Sequence, residues 1–198
     1  MPGGTRLGLF GGTFDPVHRG HLEVAQAVRR ALALERVLLV VANEPWQKVA
    51  RGPVTPAEDR FAMVEVATAG WPGLVPCRRE IDRGGPSYTV DTVEEVLAEE
   101  HGCEVTLVVG ADVVPELSTW HDEPRLRELV TLAVVDRPGS PLAPAPSGWR
   151  AVVVPVAPPD VSSTEVRARL EAGEPVGDLV PEPVMRCIRA RGLYATER

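Results

Sequence analysis

Six short apolar runs recur along the chain, and segments with helical spacing lie between most of them. The runs cover residues 7–10, 37–42, 74–77, 105–109, 132–135 and 152–156. Most are continuously apolar, which is typical of strands that are covered on both faces of a parallel sheet. Helical spacing covers residues 20–34, 56–69, 89–100, 123–130 and 182–190, and the last of these ends at Gly192. This alternation predicts an α/β fold with a doubly wound, mostly parallel sheet and a short C-terminal helical tail.

Two helix starts carry capping signals. Thr55, Pro56 and Glu58 have the order of an N-cap residue, a first-turn proline and a capping-box acid. Ser162 precedes Glu165 by three residues, which predicts a second capped helix directly after the last strand. The chain is therefore expected to form one domain over residues 1–198, with a sheet core at 5–160 and a C-terminal helical part at 161–198.

Composition and charge exclude several classes of protein. The chain of 198 residues is 44% hydrophobic and 25% charged, which is average for a globular domain. Its longest aliphatic run, residues 37–42, is too short to cross a bilayer, and the N-terminal segment lacks the pattern of a signal peptide, so we expect a cytoplasmic protein that does not bind membranes. The three cysteines are far apart and suggest neither a disulfide framework nor a metal site.

The net charge of −7 and the absence of any basic run argue against a nucleic-acid partner. A small anionic ligand fits, because a few local cations suffice to bind it. A homo-oligomer is compatible with this composition, which does not determine the number of subunits.

Polar and glycine-bearing segments follow five of the predicted strands. These are GGTFDPVHRGH, NEPWQK, GADVV, DRPG and VSSTEVR. Ligands of open parallel sheets bind outside the carboxyl ends of the strands. The five segments are therefore expected to surround one crevice.

The first segment favours an anion. Gly11 and Gly12 let a ligand approach the backbone, and the helix start that follows presents free N–H groups and the positive end of a dipole. His18 and His21 are three residues apart near that start, a position that disfavours an imidazolium unless an anion is present. The alternatives are an ordinary tight turn with surface histidines, or zinc, which lacks a third ligand here because HDE at 121–123 is explained as a surface cluster.

Here the motifs resemble a known family. GGTFDPVHRGHL is similar to the first signature of the HxGH nucleotidyltransferases, and VSSTEVR is similar to their second signature. GGPSYTVDT, GADVVPELSTW, DRPG and the tail RCIRARGLY resemble in particular the bacterial nicotinic acid mononucleotide adenylyltransferases. The motifs occur in order from residue 8 to residue 167. The segment PWQK stands where that family usually has PPHK.

The resemblance implies a Rossmann-like nucleotidyltransferase fold and the transfer of an adenylyl group from ATP to nicotinic acid mononucleotide, giving deamido-NAD and pyrophosphate. It implies Mg²⁺ on the ATP phosphates and no metal ligand from the protein. There are three alternatives. The acceptor could be another one used within the superfamily, such as phosphopantetheine, the activity could be that of a cytidylyltransferase, or the chain could be a nucleotide-sensing paralogue without catalysis.

The resemblance also assigns residues. It implies catalytic roles for His18, His21, Lys48 and Arg167. The residues implied at ATP are these two histidines and Arg167 together with Gly11, Gly12, Thr13, Phe14, Gly110, Asp112, Ser162, Ser163 and Thr164. The residues implied at the mononucleotide are Asp15, Asn43, Lys48, Tyr88, Thr89, Trp120 and Arg137.

Overall fold

A six-stranded, fully parallel sheet forms the centre of the protein, as predicted. The computed structural model describes residues 4–45, 53–136, 146–157, 159 and 161–194. The strands are β1 (Arg6–Gly12), β2 (Arg36–Val41), β3 (Leu74–Cys77), β4 (Glu104–Gly110), β5 (Val130–Asp136) and β6 (Ala151–Pro155). Their order is β3-β2-β1-β4-β5-β6, so the direction of winding reverses between β1 and β4. In such sheets the ligand crevice lies at that reversal.

Helices cover both faces of the sheet. They are α1 (Arg19–Ala31), α2 (Ala57–Thr68), α3 (Arg79–Arg83), α4 (Thr89–Glu99), α5 (Glu123–Leu129), α6 (Ser163–Glu171) and α7 (Glu182–Arg191), with a 3₁₀ helix at Val114–Thr119. No helix in these described ranges is long and apolar enough to cross a membrane.

The apolar strands divide their side chains between two cores. In β2, Val37, Leu39 and Val41 pack in the core beneath α1, α2, α6 and α7. Leu38 and Val40 pack in the core beneath α4, α5 and the 3₁₀ helix. A strand covered on both faces buries every side chain, which is why its sequence is continuously apolar.

The structure corrects several predicted boundaries. Thr55 does not cap α2, whose N-cap is Pro56 without a side-chain hydrogen bond. Instead the backbone N–H of Thr55 donates to Asp15 at 3.2 Å, so tertiary contacts determine how the chain enters this helix. Val130, predicted as the end of a helix, begins β5 and pairs with Val105. Both residues are β-branched and fit a buried strand.

Two short elements were missed, α3 and the 3₁₀ helix, because five or six residues carry too little periodicity to be recognised. Two predicted helix ends are confirmed. The Ser162 hydroxyl accepts from the backbone N–H of Glu165 at 3.1 Å, and Gly192 closes α7 with a left-handed φ of 64°.

Candidate active site

Two cavities open where β1 and β4 end, and the first glycine pair lines both of them. The larger has a volume of about 670 Å³ and the smaller of about 260 Å³. Their linings share Phe10, Gly11, Gly12, Thr13, Gly110 and Val113. A Cβ added at Gly11 would meet no atom within 4 Å, so the backbone there faces open space. Ligands in the two cavities would therefore meet over this turn.

The larger cavity gathers all the residues that the sequence predicts at ATP. Its lining includes Gly11, Gly12, Thr13, Phe14, His18, His21, Gly110, Asp112, Ser162, Ser163, Thr164 and Arg167. These positions come from the start of the chain, the end of β4 and the start of α6. Five sequence segments were predicted to surround one crevice, and three of them, GGTFDPVHRGH, GADVV and VSSTEVR, line the larger cavity.

His18 and His21 form a stacked pair at the start of α1. Their ring centroids are 3.6 Å apart, and the backbone N–H of His18 donates to Nδ1 of His21 at 3.2 Å. Because an amide N–H can only donate, Nδ1 of His21 holds no proton. The proton of the His21 ring is therefore on Nε2. The ring of Phe14 packs edge-on against His21 with the centroids 5.0 Å apart.

Gly20 leaves room for the ring of His18. A Cβ at Gly20 would lie 3.2 Å from Cε1 and Nδ1 of His18 and 3.1 Å from Val161. These contacts are tighter than ordinary van der Waals contact. The glycine between the two histidines is therefore a packing requirement of the imidazole, although it lies within a helix, where glycine is otherwise unfavourable.

The start of α6 is docked on the loop between β1 and α1. The hydroxyl of Ser163 donates to the carbonyl of Pro16 at 3.0 Å. Nη1 of Arg167 donates to the carbonyl of Asp15 at 2.6 Å, and Nη2 lies 3.5 Å from the hydroxyl of Thr164. The two signature motifs are thus joined directly, and the positive end of α6 contributes to the cavity that holds the histidines.

Asp15 is buried and bound by protein groups. One carboxylate oxygen accepts from the phenol of Tyr194 at 2.5 Å, and the other accepts from the backbone of Thr55. The residue lines the larger cavity and not the smaller one, although the sequence predicts it at the mononucleotide. Burial, followed by the bond to Asp15, raises the pKa of Tyr194 far above its ordinary value, so this phenol remains a donor.

Arg60 is a residue that sequence reasoning missed. Its guanidinium is 1% exposed and donates to three backbone carbonyls, those of Thr55 at 2.7 Å, Thr13 at 2.9 Å and Asn43 at 3.0 Å. It ties together the segments after β1 and β2. Burial lowers its pKa, and the charge of Asp15 opposes that shift.

The sequence contained a signal for Arg60. It shares the buried face of α2 with Met63, Val64 and Ala67, a spacing at which an arginine interrupts an apolar stripe. A charged residue on such a face needs fixed partners, and here these are carbonyls of the site loops.

The smaller cavity lies at the start of α4. It is lined by Tyr88, Thr89 and Trp120, which the sequence predicts at the mononucleotide, and also by Glu80 and His121. His121 is exposed, as predicted, and its ring also stacks on Tyr88 with the centroids 4.2 Å apart. Two aromatic rings thus form part of the wall of this cavity.

Glu80 is buried in the wall of the smaller cavity. Burial raises the pKa of its carboxyl, and hydrogen bonds from Ser87 and Thr92 oppose that shift. The Thr92 hydroxyl donates to Glu80 at 2.9 Å. The indole N–H of Trp120 is buried and finds no acceptor within the part of the chain that the structure describes. A ligand could supply one.

The structure does not bring Asn43 to either cavity and does not test two other predicted mononucleotide residues. Asn43 is not among the described residues lining either cavity, and its side-chain amide donates to the carbonyl of Gly85 at 3.0 Å. Lys48 and Arg137 lie outside the described residues. Their predicted roles remain predictions.

Among the described residues, no group of three or more histidines, cysteines or carboxylates could hold a metal ion. Within the same part of the chain, the larger cavity is lined by groups that can donate to an anion, namely the two histidines, Arg167 and the hydroxyls at the start of α6, together with the carboxylates of Asp15 and Asp112.

The fold, the two joined cavities and the stacked histidines define the class to which the protein belongs. Residues 9–169 match the model of the cytidylyltransferase-like family. A probable nicotinate-nucleotide adenylyltransferase of Thermus thermophilus is 46% identical over 96% of this chain and 99% of that protein. Another, from Corynebacterium kroppenstedtii, is 43% identical over 96% of this chain and 90% of that protein. The chain belongs to the cytidylyltransferase-like family and, within it, to the nicotinate-nucleotide adenylyltransferases.

Solved structures agree on the fold. The nicotinic acid mononucleotide adenylyltransferase of Plasmodium falciparum, complexed with NaAD, superimposes with a TM-score of 0.78 over 96% of this chain and 97% of that one. The two sequences are 14% identical, so the likeness concerns the fold.

Proposed function

We propose that this chain transfers the adenylyl group of ATP to nicotinic acid mononucleotide, forming deamido-NAD and pyrophosphate. The observation that carries the proposal is the meeting of two cavities over Gly11 and Gly12, with the histidine pair on the larger one. The names of the relatives support the same reaction. ATP would occupy the larger cavity, and the pyridine of the mononucleotide would occupy the smaller one.

The reaction needs positioning more than covalent chemistry. A phosphate oxygen of the mononucleotide attacks the α-phosphorus of ATP, and the bond from that phosphorus to the bridging oxygen of the β-phosphate breaks. Pyrophosphate leaves with the electron pair of that bond. The enzyme contributes the in-line arrangement of the two phosphates and donors for the charge on the other oxygens.

The histidines would supply those donors. His21 carries its ring proton on Nε2 because Nδ1 accepts from the backbone. His18 stacks on it and lines the same cavity. Donors fixed in advance stabilise charge as it develops, because they need no reorganisation during the reaction.

The start of α6 would receive the pyrophosphate. Ser163 and Thr164 belong to its first turn, where backbone N–H groups and the helix dipole favour an anion. Arg167, held at 2.6 Å from the carbonyl of Asp15, would add a full positive charge. Mg²⁺ would be coordinated mainly by phosphate oxygens and water, and when bound it would neutralise part of the phosphate charge.

The smaller cavity would select the acceptor. Tyr88 and Thr89 begin α4, and N–H groups at a helix start favour a carboxylate over a neutral amide. Trp120 would stack on the pyridine ring. We infer that nicotinate is preferred to nicotinamide. Lys48 and Arg137 are proposed to bind the phosphate of the mononucleotide.

The test is a product assay. Purified protein with Mg²⁺ and ATP is incubated with one of three acceptors, nicotinic acid mononucleotide, its amide or phosphopantetheine, and the dinucleotide product and pyrophosphate are quantified by chromatography. We expect fastest turnover with the nicotinic acid form. Pyrophosphate release only with phosphopantetheine would identify a different adenylyltransferase, and no release with any acceptor would favour a nucleotide-sensing paralogue.

A further inference from the structure

We propose that Tyr194, in the C-terminal tail, is a positioning residue for adenylyl transfer: its phenol holds the carboxylate of Asp15 and thereby fixes the loop that leads to the histidines. This inference rests on the proposed function. It concerns a residue 179 positions away from its partner in the chain, in a segment to which no part of the reaction has been assigned above.

Asp15 is the point where three separate segments hold the loop after β1. The phenol of Tyr194 donates to Oδ1 at 2.5 Å, and the N–H of Thr55 donates to Oδ2 at 3.2 Å. Arg167 donates to the backbone carbonyl of the same residue at 2.6 Å. The side chain of Asp15 is 5% exposed, so water cannot readily replace a lost donor.

The loop held in this way carries the reactive side chains. Phe14 precedes Asp15 and packs against the ring of His21, and His18 follows three residues later. A carboxylate that loses its donor must move toward water or toward another partner. Because in-line transfer tolerates little displacement, a shift of about 1 Å in this loop can cost as much as 10² in rate.

The backbone gives independent support. Phe14 has a φ of 51° and Tyr194 a φ of 57°, two of the four described non-glycine residues in the left-handed region. Bulky side chains rarely adopt that conformation, and it persists where the surroundings over-determine it, often at functional sites. Phe14 directly precedes Asp15, and Tyr194 donates to its carboxylate.

The tail has other anchors that do not involve the phenol oxygen. Arg191 pairs with Asp59 at 2.5 Å on the surface, and Gly192 caps α7. The ring of Tyr194 packs against the core that lies beneath α1, α2, α6 and α7. Tyr194→Phe therefore removes the contacts of the phenol oxygen, which are the bond to Asp15 and a weaker contact with Met63 Sδ at 4.0 Å, while the ring and the other anchors remain.

The experiment compares Tyr194→Phe with the wild-type protein and with Arg191→Ala, which cuts the surface ion pair of the same tail. We expect Tyr194→Phe to lower kcat about tenfold and to weaken binding of a non-hydrolysable ATP analogue several-fold. KM for nicotinic acid mononucleotide should stay within about twofold, because the smaller cavity does not include Asp15. Arg191→Ala should keep the wild-type kcat and analogue affinity.

A double-mutant cycle with Asp15→Asn tests the route of the effect. If Tyr194 acts through Asp15, the second substitution adds little to the loss in kcat caused by the first. If the losses in kcat caused by the two single substitutions multiply in the double variant, the proposal is overturned. It is also overturned if the Tyr194→Phe protein has a lower Tm but wild-type kcat and analogue affinity. If the wild-type protein makes no deamido-NAD, the proposed function fails, and the analogue affinities of the same variants still decide whether Tyr194 positions the ATP site.

Discussion

The backbone N–H of His18 donates to Nδ1 of His21 at 3.2 Å, so the first histidine of the pair determines which nitrogen of the second can donate. The bond has two effects. It satisfies an N–H at the start of α1, and it directs the remaining ring proton of His21 to Nε2. The capping role of this imidazole and the catalytic role proposed for it can be separated by substitution.

His21→Asn separates the two roles. The asparagine oxygen can take the place of Nδ1 as the acceptor for the N–H of His18, but the side chain is too short to place a donor where Nε2 lies. We expect kcat for deamido-NAD formation to fall about 10²-fold or more in both His21→Asn and His21→Ala. Thermal denaturation should show that only the alanine variant loses stability. Near wild-type kcat in the asparagine variant would mean that His21 serves the helix start alone.

Gly20→Ala should lower activity without lowering stability. The added methyl would lie 3.2 Å from the ring of His18 and must displace it. Alanine is favoured over glycine in a helix by about 1 kcal/mol, which offsets the cost of the contact. We expect a lower kcat with a Tm close to that of the wild-type protein. An alanine variant with full kcat would show that the ring of His18 can move without consequence.

The sheet and much of the larger cavity could be predicted from the sequence, for physical reasons. Strands buried on both faces are largely apolar, and this makes β2 visible as an unbroken apolar run from Val37 to Val41. The site motifs were visible because they follow those strands, and parallel strands end at the same edge of the sheet. Local signals were sufficient for Ser162 as well, since its hydroxyl caps its own helix.

What remained hidden depends on contacts between distant segments. Nothing near Thr55 indicates that its N–H is taken by Asp15, and nothing near Tyr194 indicates that its phenol reaches the same carboxylate. His121 is exposed as predicted, but its stacking on Tyr88 was not foreseen, because Tyr88 belongs to another segment. Such pairings follow from the fold and have no local sequence signature.

Trp120→Ala tests the assignment of the two cavities. Trp120 lines only the smaller one, so we expect the affinity for nicotinic acid mononucleotide to fall by a factor of about ten or more while the affinity for ATP is retained. Isothermal titration with each ligand measures both. Equal losses for the two ligands would remove Trp120 from the pyridine site.

Arg60→Lys should destabilise the protein although it retains the charge. The guanidinium places three nitrogens against the carbonyls of Thr13, Asn43 and Thr55, whereas lysine has a single nitrogen. Leaving buried carbonyls without donors is expected to lower the free energy of unfolding by about 2–4 kcal/mol, measured by urea denaturation. Arg78→Lys, at an exposed arginine paired with Glu58 and Asp82, is the matched control and should remain close to wild type.

Glu80→Gln should reveal a pH-dependent contribution to stability. Because burial raises the pKa of Glu80 in the folded protein, the folded state retains this proton at pH values where the unfolded chain has lost it. Stability from this group is therefore present below the unfolded pKa of about 4.3 and is lost as pH rises through the higher folded pKa. The glutamine variant has no such proton and shares all the other titrating groups. We expect the free energy of unfolding of the wild-type protein, minus that of the variant, to increase as the pH is lowered from 7 toward 4.5, measured by urea denaturation at several pH values. A difference that stays constant over this range would contradict a raised pKa for Glu80.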